Sequence, residues 1–242
     1  MTDERWQARI DLAAAYRIAD LHGFGEGICN HFTLMVPGTT DRFFLIPHGL
    51  HWSEVTASKL LAVSLDGREI EGEGMAEPTA FNIHAPLHRA RPEAKCVLHT
   101  HMPHATALTM LDDGRLEMSL QTALHFYGRI AYDNAYSGVA LEPDEGLRLA
   151  RIMGDNTILF MKHHGVIVVG PTVANAYHDL YYLERACRAQ LLAMSSGRKL
   201  SLIPDALLHT TADKIRTDQD FAAVHFAALK RLLDRDRPDY AE

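Results

Sequence analysis

Histidine is the residue type in this sequence that most suggests chemistry at a functional site, since 15 of the 242 residues are histidines. His99 and His101 stand two residues apart in the apolar run 95–101, which predicts an interior strand. Because alternate residues of a strand point to one side, both imidazoles would reach one point, where a metal ion could bind. Two hydrogen-bonded histidines at a strand end are the simpler alternative, since random placement of 15 histidines gives about one His-x-His triplet.

Two other segments contain residues that suit a catalytic metal site. Glu77 stands directly before a proline, and proline favours the first position of a helix, here predicted for residues 78–90. Glu77 would lie at the N-terminus of that helix, where its carboxylate could simply interact with the helix dipole. His164 precedes a glycine between two β-prone runs, 157–161 and 166–169. A third histidine from such a turn would leave one open position for a substrate.

The elements that would position these residues follow from the apolar pattern. Apolar side chains at helical spacing predict an opening helix over residues 4–22. The β-prone runs 31–36 and 43–47, separated by a turn sequence, predict a hairpin of antiparallel strands. The remaining predicted elements are a strand at 61–65 and helices at 142–153, 171–195 and 218–233.

These elements predict an α/β fold: a single three-layer domain over residues 1–242, with a largely antiparallel central sheet covered by helices. The reason is that several strands are joined by short turns rather than by helical crossovers. No repeat or linker divides the chain. A more polar composition from residue 204 onward predicts a C-terminal helical extension over about 204–242.

Composition excludes several classes of function. No apolar stretch approaches the roughly 18 residues that a membrane span requires, and the first ten residues do not resemble a signal peptide. The formal charge of -7, with both signs interspersed, argues against nucleic-acid or membrane partners. Cys29, Cys96 and Cys187 form no Cys-x-x-Cys pair, so a disulfide framework or thiolate metal site is not expected. A cytoplasmic location is predicted.

Five stretches, taken together, resemble one known family. They are Gly27–Thr33, Phe44–Gly49, Ala76–Pro78, Ala90–His101 and His163–Val166. Their types and order are similar to those of the class II aldolase and adducin superfamily, and the likeness spans roughly residues 5 to 200. Residues 26–65 resemble the adducin head more than the sugar-phosphate aldolases, which favours the adducin-like bacterial branch of the family.

The resemblance implies roles for specific residues. His99, His101 and His164 would hold one divalent metal ion, with zinc first and manganese, iron or cobalt as alternatives. Glu77 would be the acid/base group beside the metal. The family fold would be class II aldolase-like. The partners would be a small-molecule substrate and further copies of the chain, since relatives form homo-oligomers that are often tetramers.

This sequence departs from the sugar-phosphate members of the family. Their phosphate-binding Gly-Asn loop is altered around Asn30, His48-Gly49 replaces a hydroxyl-bearing turn, and Met75-Ala76 replaces two serines. Losing such donors should weaken phosphate binding at about 1 to 3 kcal/mol for each charged hydrogen bond. A small, non-phosphorylated substrate that carries a carboxylate or an aromatic ring is therefore expected.

The predicted substrate-binding residues are of two kinds. Asn30, His48 and Gly49 follow from the matching motifs, and His48 could either meet a carboxylate or cap a turn. Gln121 and His125 are candidates because they lie in a region that reaches the pocket in relatives. They are of lower rank than the residues of the matching motifs.

The predicted activity is a metal-dependent lyase that cleaves a carbon–carbon bond through a stabilised enolate or carbanion. Decarboxylation and retro-aldol cleavage remain equal alternatives within that prediction. The other hypotheses are a sugar-phosphate aldolase or epimerase, a non-haem iron oxygenase, and a non-catalytic adducin-like scaffold.

Overall fold

A sheet of eight strands forms the middle of the molecule, in the order β4-β3-β2-β1-β5-β8-β7-β6. The computed structural model describes residues 3–138, 143–217 and 220–242. The strands are β1 (His31–Met35), β2 (Arg42–Leu45), β3 (Leu61–Ser64), β4 (Glu69–Glu71), β5 (Cys96–Thr100), β6 (Ile130–Asp133), β7 (Ile158–Met161) and β8 (Gly165–Gly170). Neighbouring strands run antiparallel, except that β6 and β7 are parallel.

Seven helices accompany this sheet in the described ranges of the chain. They are α1 (Asp3–Leu21), α2 (Pro78–Ala90), α3 (Pro103–Thr109), α4 (Pro143–Met153), α5 (Val173–Met194), α6 (Asp205–Arg216) and α7 (Phe221–Asp236). None of the helices in the described part of the chain combines the length and apolarity that a bilayer crossing requires.

Side chains that alternate along the central strands fill two separate cores. On β5, Leu98 belongs to the larger core and Val97 to the smaller one, and on β8 Val168 and Ile167 divide in the same way. Helices α2 and α4 cover the smaller core, while α1, α3, α5 and α7 cover the larger one. Both faces of these strands are therefore buried, which explains their continuous apolar runs. The predicted α/β fold with a largely antiparallel sheet between helices is confirmed.

The predicted elements agree with the structure where the apolar pattern is long. The opening helix, the hairpin of β1 and β2, helix α2 and the strand that contains His99 all form as predicted. The first residues predicted for two helices, Glu142 and Asp218, lie outside the described residues.

Three elements were not predicted from the sequence, namely α3, β4 and β6, while α6 was predicted only as part of the C-terminal helical extension. Strand β4 is an exposed edge of three residues, Glu-Ile-Glu, without an apolar face. Strand β6 pairs in parallel with β7 through the crossover helix α4, which makes a βαβ unit in a sheet that is otherwise antiparallel.

The C-terminal residues pack on the rest of the molecule. Phe226 and Leu233 of α7 belong to the larger core, and Tyr240 is 2 % exposed. Arg17 of α1 forms an ion pair with Asp239, at 2.8 Å between Nη2 and Oδ2. The division into one domain with an extension from about residue 204 stays a prediction.

Candidate metal centre

Three histidine side chains converge at one end of β5 and β8. His99 is the fourth residue of β5, His101 directly follows that strand, and His164 ends the turn between β7 and β8. The antiparallel register pairs Thr100 with Val166, which places the end of β5 beside the start of β8. The ring centroids lie 5.0, 4.8 and 4.9 Å apart, and one nitrogen from each ring lies within 4.8 Å of the others. This spacing suits three ligands of one ion.

Gly165 allows the two strand ends to approach so closely. A Cβ atom at this position would lie 2.5 Å from the carbonyl oxygen of Thr100 and 2.8 Å from Cδ2 of His101. Both distances are shorter than any stable carbon contact, so a larger residue would push His164 away from its neighbours. The glycine after His164 is thus a requirement of the site's geometry.

Hydrogen bonds fix the proton positions on two of the three rings. Nδ1 of His99 lies 3.0 Å from the carbonyl oxygen of Val166, and Nδ1 of His101 lies 2.5 Å from Oε2 of Glu26. Both partners only accept, so each Nδ1 carries the hydrogen and each Nε2 keeps a free lone pair. Nε2 of His101 is buried and has no hydrogen-bond partner among the described residues. A buried lone pair without a donor fits a metal ligand.

The electrostatic environment keeps the imidazoles of His99 and His164 neutral. Burial, followed by the neighbouring His164 and His31, holds the pKa of His99 well below its ordinary value. Burial and then His101 lower the pKa of His164 to about 4. Neutral imidazole is the form that coordinates a metal ion, so the rings are ready to bind at neutral pH.

Glu77 caps helix α2 and faces the same cavity as the three histidines. Its Oε2 accepts hydrogen bonds from the Ala80 backbone N–H at 2.7 Å and from Thr79 Oγ1 at 2.5 Å. Burial raises the pKa of Glu77, but these hydrogen bonds outweigh it and leave the pKa below its ordinary value. Glu77 is therefore an ionised carboxylate, and the capping role and a place in the cavity are compatible.

His31 stands between Glu77 and the histidine cluster. Its Nε2 is 4.0 Å from Oε2 of Glu77, and its ring centroid is 5.1 Å from that of His99. Burial lowers the pKa of His31 to about 4 in spite of the nearby Glu77 carboxylate. The sequence did not place His31 among the metal ligands or the substrate-binding residues, although its alternation with Thr33 on β1 could have placed it on the same face.

A cavity of about 360 Å³ opens beside the histidines. Among the predicted substrate-binding residues, Asn30 and His48 line it. Oδ1 of Asn30 accepts from the backbone N–H of His101 at 3.2 Å, while Nδ2 is buried and meets no acceptor within the described part of the chain. Gly49 does not line the cavity, and it forms the turn after His48 with a φ of 86°.

The apolar lining of the cavity does not come from Met75 and Ala76, the two residues that replace the serines of the sugar-phosphate members. Met75 and Ala76 do not line the cavity, and Met75 is 68 % exposed. Ile28, Ile46 and Ile83 provide the apolar wall instead. The Ala76 backbone N–H donates instead to Oε1 of Glu69, on the edge strand β4, at 3.0 Å.

Gln121 and His125 do not reach this cavity within one chain. They belong to a 3-10 segment, Gln121–Phe126, that packs against α5 and α6. His125 lines a different cavity and stacks on Tyr182, with ring centroids 5.4 Å apart. In the single chain this segment precedes β6 and lies at the opposite end of the strands from the histidine cluster, so the substrate-binding role of Gln121 and His125 stays a prediction.

Comparison with known proteins agrees with this architecture. The model of the family "Class II Aldolase and Adducin N-terminal domain" matches residues 10–191. The chain belongs to this family.

Other members of the class II aldolase and adducin family resemble the chain over most of its length. An adducin-related protein of Schizosaccharomyces pombe is 33 % identical over 250 residues, covering 96 % of this chain and 76 % of that protein. The crystal structure of an aldolase II superfamily protein from Pseudomonas syringae superposes with a TM-score of 0.94 at 33 % identity, over 100 % of this chain and 98 % of that one. An L-fuculose 1-phosphate aldolase from Glaciozyma antarctica superposes with a TM-score of 0.86 at 26 % identity, over 99 % of this chain and 93 % of that one.

Proposed function

We propose that this protein is a divalent-metal-dependent lyase that cleaves a carbon–carbon bond of a small, non-phosphorylated, carboxylated substrate. The observation that carries the proposal is the buried, unpartnered Nε2 of His101, within reach of ligand nitrogens from His99 and His164. An ionised Glu77 in the same cavity adds an acid/base group. Membership in the class II aldolase and adducin family supports this combination.

His99, His101 and His164 would hold the ion, and zinc is the ion we propose because three neutral imidazoles with one open position are typical of catalytic zinc. When bound, a divalent cation withdraws electron density from substrate oxygens, so that negative charge on the adjacent carbon is stabilised. Val166 and Glu26 keep the His99 and His101 rings in the orientation that this binding needs.

Glu77 would move the proton. Its carboxylate is anchored by Thr79 and Ala80, so it stays at the cavity wall and is ionised before substrate enters. Desolvation by a bound substrate favours the protonated form, so the same group can first accept and then return a proton. The start of helix α2 sets the position of the carboxylate.

The cavity lining supports a carboxylated substrate. Nδ2 of Asn30 is a buried donor without a partner, and His48 lies on the same cavity wall. A carboxylate oxygen would satisfy the Asn30 donor, while Ile28, Ile46 and Ile83 would contact an apolar part.

Metal analysis of the purified protein tests this proposal first. We expect about one metal ion per chain, and assays of candidate acids for release of carbon dioxide or of aldehyde separate decarboxylation from aldol cleavage. Full activity in metal-free protein would contradict the proposal. A purified protein that takes up no metal ion and shows no activity when metal is supplied would favour the adducin-like scaffold, and oxygen consumption with Fe(II) would favour the oxygenase.

A sugar-phosphate aldolase is the second candidate, because an L-fuculose 1-phosphate aldolase is 26 % identical over nearly the whole chain. Cleavage of L-fuculose 1-phosphate by the metal-loaded protein, measured as aldehyde release, would favour this candidate. We expect no such cleavage, since the altered residues around Asn30 and His48 leave few donors for a phosphate dianion.

We further propose that the chain forms a homotetramer in the cytoplasm and that residues 1–242 are one domain with a C-terminal helical extension. Exposed apolar side chains near the end of α5 and beyond it, such as Leu192, Met194 and Leu202, support a subunit contact. The free cysteines fit a reducing compartment. Light scattering on the purified protein gives the subunit number, and a truncation after residue 203 tests whether the extension is needed for folding.

A further inference from the structure

A second group of histidines lies behind the cavity wall, on the side of the smaller core. His31, on β1, is 6 % exposed, and its Nδ1 lies 2.8 Å from Nε2 of His84 on α2. His84 is fully buried. The other ring nitrogen of His31, Nε2, faces the cavity at 4.0 Å from Oε2 of Glu77, which is too long for a hydrogen bond.

The hydrogen bonds continue from His84 to the far end of helix α2. Thr33 Oγ1 lies 2.6 Å from Nδ1 of His84 and 2.8 Å from Nε2 of His88. Nδ1 of His88 in turn lies 3.3 Å from the carbonyl oxygen of Ala94. Residues two apart on β1 and four apart on α2 face each other, so strand and helix periodicities create the chain of bonds.

The carbonyl at the far end gives every bond in this chain a direction. The Ala94 carbonyl only accepts, so Nδ1 of His88 carries a hydrogen and its Nε2 accepts from the Thr33 hydroxyl. Having donated its hydrogen, Thr33 Oγ1 must accept from Nδ1 of His84, and Nε2 of His84 must accept from Nδ1 of His31.

The result is that Nε2 of His31 has no hydrogen and presents a lone pair to the cavity. Burial lowers the pKa of His88 to about 4 and holds that of His84 well below its ordinary value, so neither ring is charged at neutral pH. Glu77 beside His31 is also an acceptor. His31 and Glu77 therefore make this side of the cavity accept hydrogen bonds. Asn30 directly precedes His31 in the chain, and its Nδ2 can only donate.

We propose that His31 Nε2 is a fixed hydrogen-bond acceptor that selects a hydroxylated carboxylic acid as substrate, with the substrate hydroxyl donating to His31. The proposal rests on the proposed metal-dependent function. The carboxylate would accept from Asn30 and the hydroxyl would donate to His31, whereas a keto oxygen at the same place would face a second lone pair. His84 is then a positioning residue, since it sets the tautomer of His31 without touching the substrate.

This assignment favours aldol cleavage over decarboxylation of a keto acid. An aldol substrate carries a hydroxyl group on the carbon that becomes a carbonyl, and in the bound substrate this hydroxyl would donate to His31. As the carbon–carbon bond breaks, the neighbouring Glu77 would take the hydroxyl proton and then return it to the carbanion carbon. A keto acid offers no such hydrogen.

Lactate and pyruvate are suitable probes, because both are three-carbon acids that differ at one oxygen, which carries a hydrogen in lactate only. Their dissociation constants for the zinc-loaded wild-type protein are measured by calorimetry at neutral pH. We expect lactate to bind about tenfold more tightly, since an unmade hydrogen bond at a buried acceptor has an effect of that order.

Three variants assign the preference to His31 and its hydrogen-bond chain. His31→Phe should abolish the preference, and His31→Gln should reduce it because an amide can present either a donor or an acceptor. His84→Leu should also reduce it, although residue 84 touches no probe, because His31 loses the acceptor that fixes its tautomer. His209→Gln, on an exposed histidine of α6, is the matched control and should keep the wild-type preference.

Zinc content and circular dichroism are measured for every variant. Equal affinity for the two acids, binding of neither acid to the zinc-loaded wild type, or a preference that survives His31→Phe would overturn the proposal. Because the wild-type comparison needs no mutation, a variant that does not fold leaves that result standing. Failure of the proposed function differs from these outcomes, because the wild-type protein would then take up no stoichiometric zinc.

Discussion

Apart from the buried group of His31, His84 and His88, two regions of the described chain are rich in histidine, and only one of them is arranged to bind a metal ion. At one end of β8, His99, His101 and His164 bring three nitrogens within 4.8 Å of one another. At the other end, His178 and His225 form a direct contact of 3.3 Å between their Nδ1 atoms.

The surroundings of the two regions explain the difference. His99 and His101 use Nδ1 for acceptors on the protein, which leaves Nε2 free. His178 instead packs against the rings of Tyr182 and Phe221, and its Nδ1 is engaged with His225. The comparison teaches that the number of histidines matters less than whether outer hydrogen bonds fix each ring with a lone pair turned inward.

The largest expected effect separates the two regions directly. His99→Ala should reduce the metal content from about one ion per chain to nearly none, because two remaining imidazoles make a weak site. His225→Ala should leave the metal content unchanged. Mass spectrometry of metals in both purified variants checks this, and equal metal loss in both would contradict the comparison.

Glu77→Gln should lower the lyase activity about 10²- to 10⁴-fold, because proton transfer is lost. The metal content should not change, and stability should fall by no more than about 1 kcal/mol, since an amide oxygen can still cap α2. Steady-state rates and urea unfolding of the same preparation provide both numbers. An unaltered rate would remove Glu77 from the mechanism.

Glu26→Gln sharpens the claim that outer hydrogen bonds make the site. Loss of the charged partner of His101 should weaken metal affinity about tenfold. We place the effect at the lower end of the usual range because the Glu26 side chain is 66 % exposed. Competition with a chelator of known affinity measures the change, and a variant with wild-type affinity would show that the His101 ring is held by packing alone.

The smallest effect concerns the pH dependence of stability, to which His178 of the second region and His88 of the buried group on α2 contribute. Burial lowers the pKa of His88 and of His178 to about 4 in the folded protein, whereas in the unfolded chain each stays near 6.5. The unfolded state therefore binds more protons between pH 6.5 and 4, so the free energy of unfolding falls as the pH drops through this window. The slope reaches at most about 1.4 kcal/mol per pH unit for each histidine.

Urea unfolding of the metal-free protein at several pH values measures this slope. His178→Asn should make the slope shallower by up to one proton and leave the contribution of the His84 and His88 region. An unchanged slope in that variant would mean that His178 already protonates in the folded state.

Much of the site is readable in the sequence because its parts follow from local periodicity. The two-residue spacing of His99 and His101, and the proline after Glu77, are properties of one strand and one helix end. The structure places both segments where these rules predict. Gln121 and His125 could not be placed in this way, because their position depends on how the 3-10 segment packs against α5 and α6.

Elements with weak patterns were also out of reach. Strand β4 has no apolar face, and strand β6 needs the distant β7 to form its parallel pair. Met75 and Ala76 do not line the cavity, and the hydrogen bond from Ala76 to Glu69 joins residues seven apart that no local rule pairs.

The amino-acid sequence by itself determined the apolar runs that become strands, the capped helix at Glu77 and the glycine after His164, since each depends on near neighbours in the chain. Only the tertiary structure decided that His31 and Thr33 meet His84 and His88, because that meeting requires β1 to lie beneath α2. Hydrogen-bond direction is a property of the whole buried chain of groups, so the free lone pair on His31 emerges only when all its members are in place.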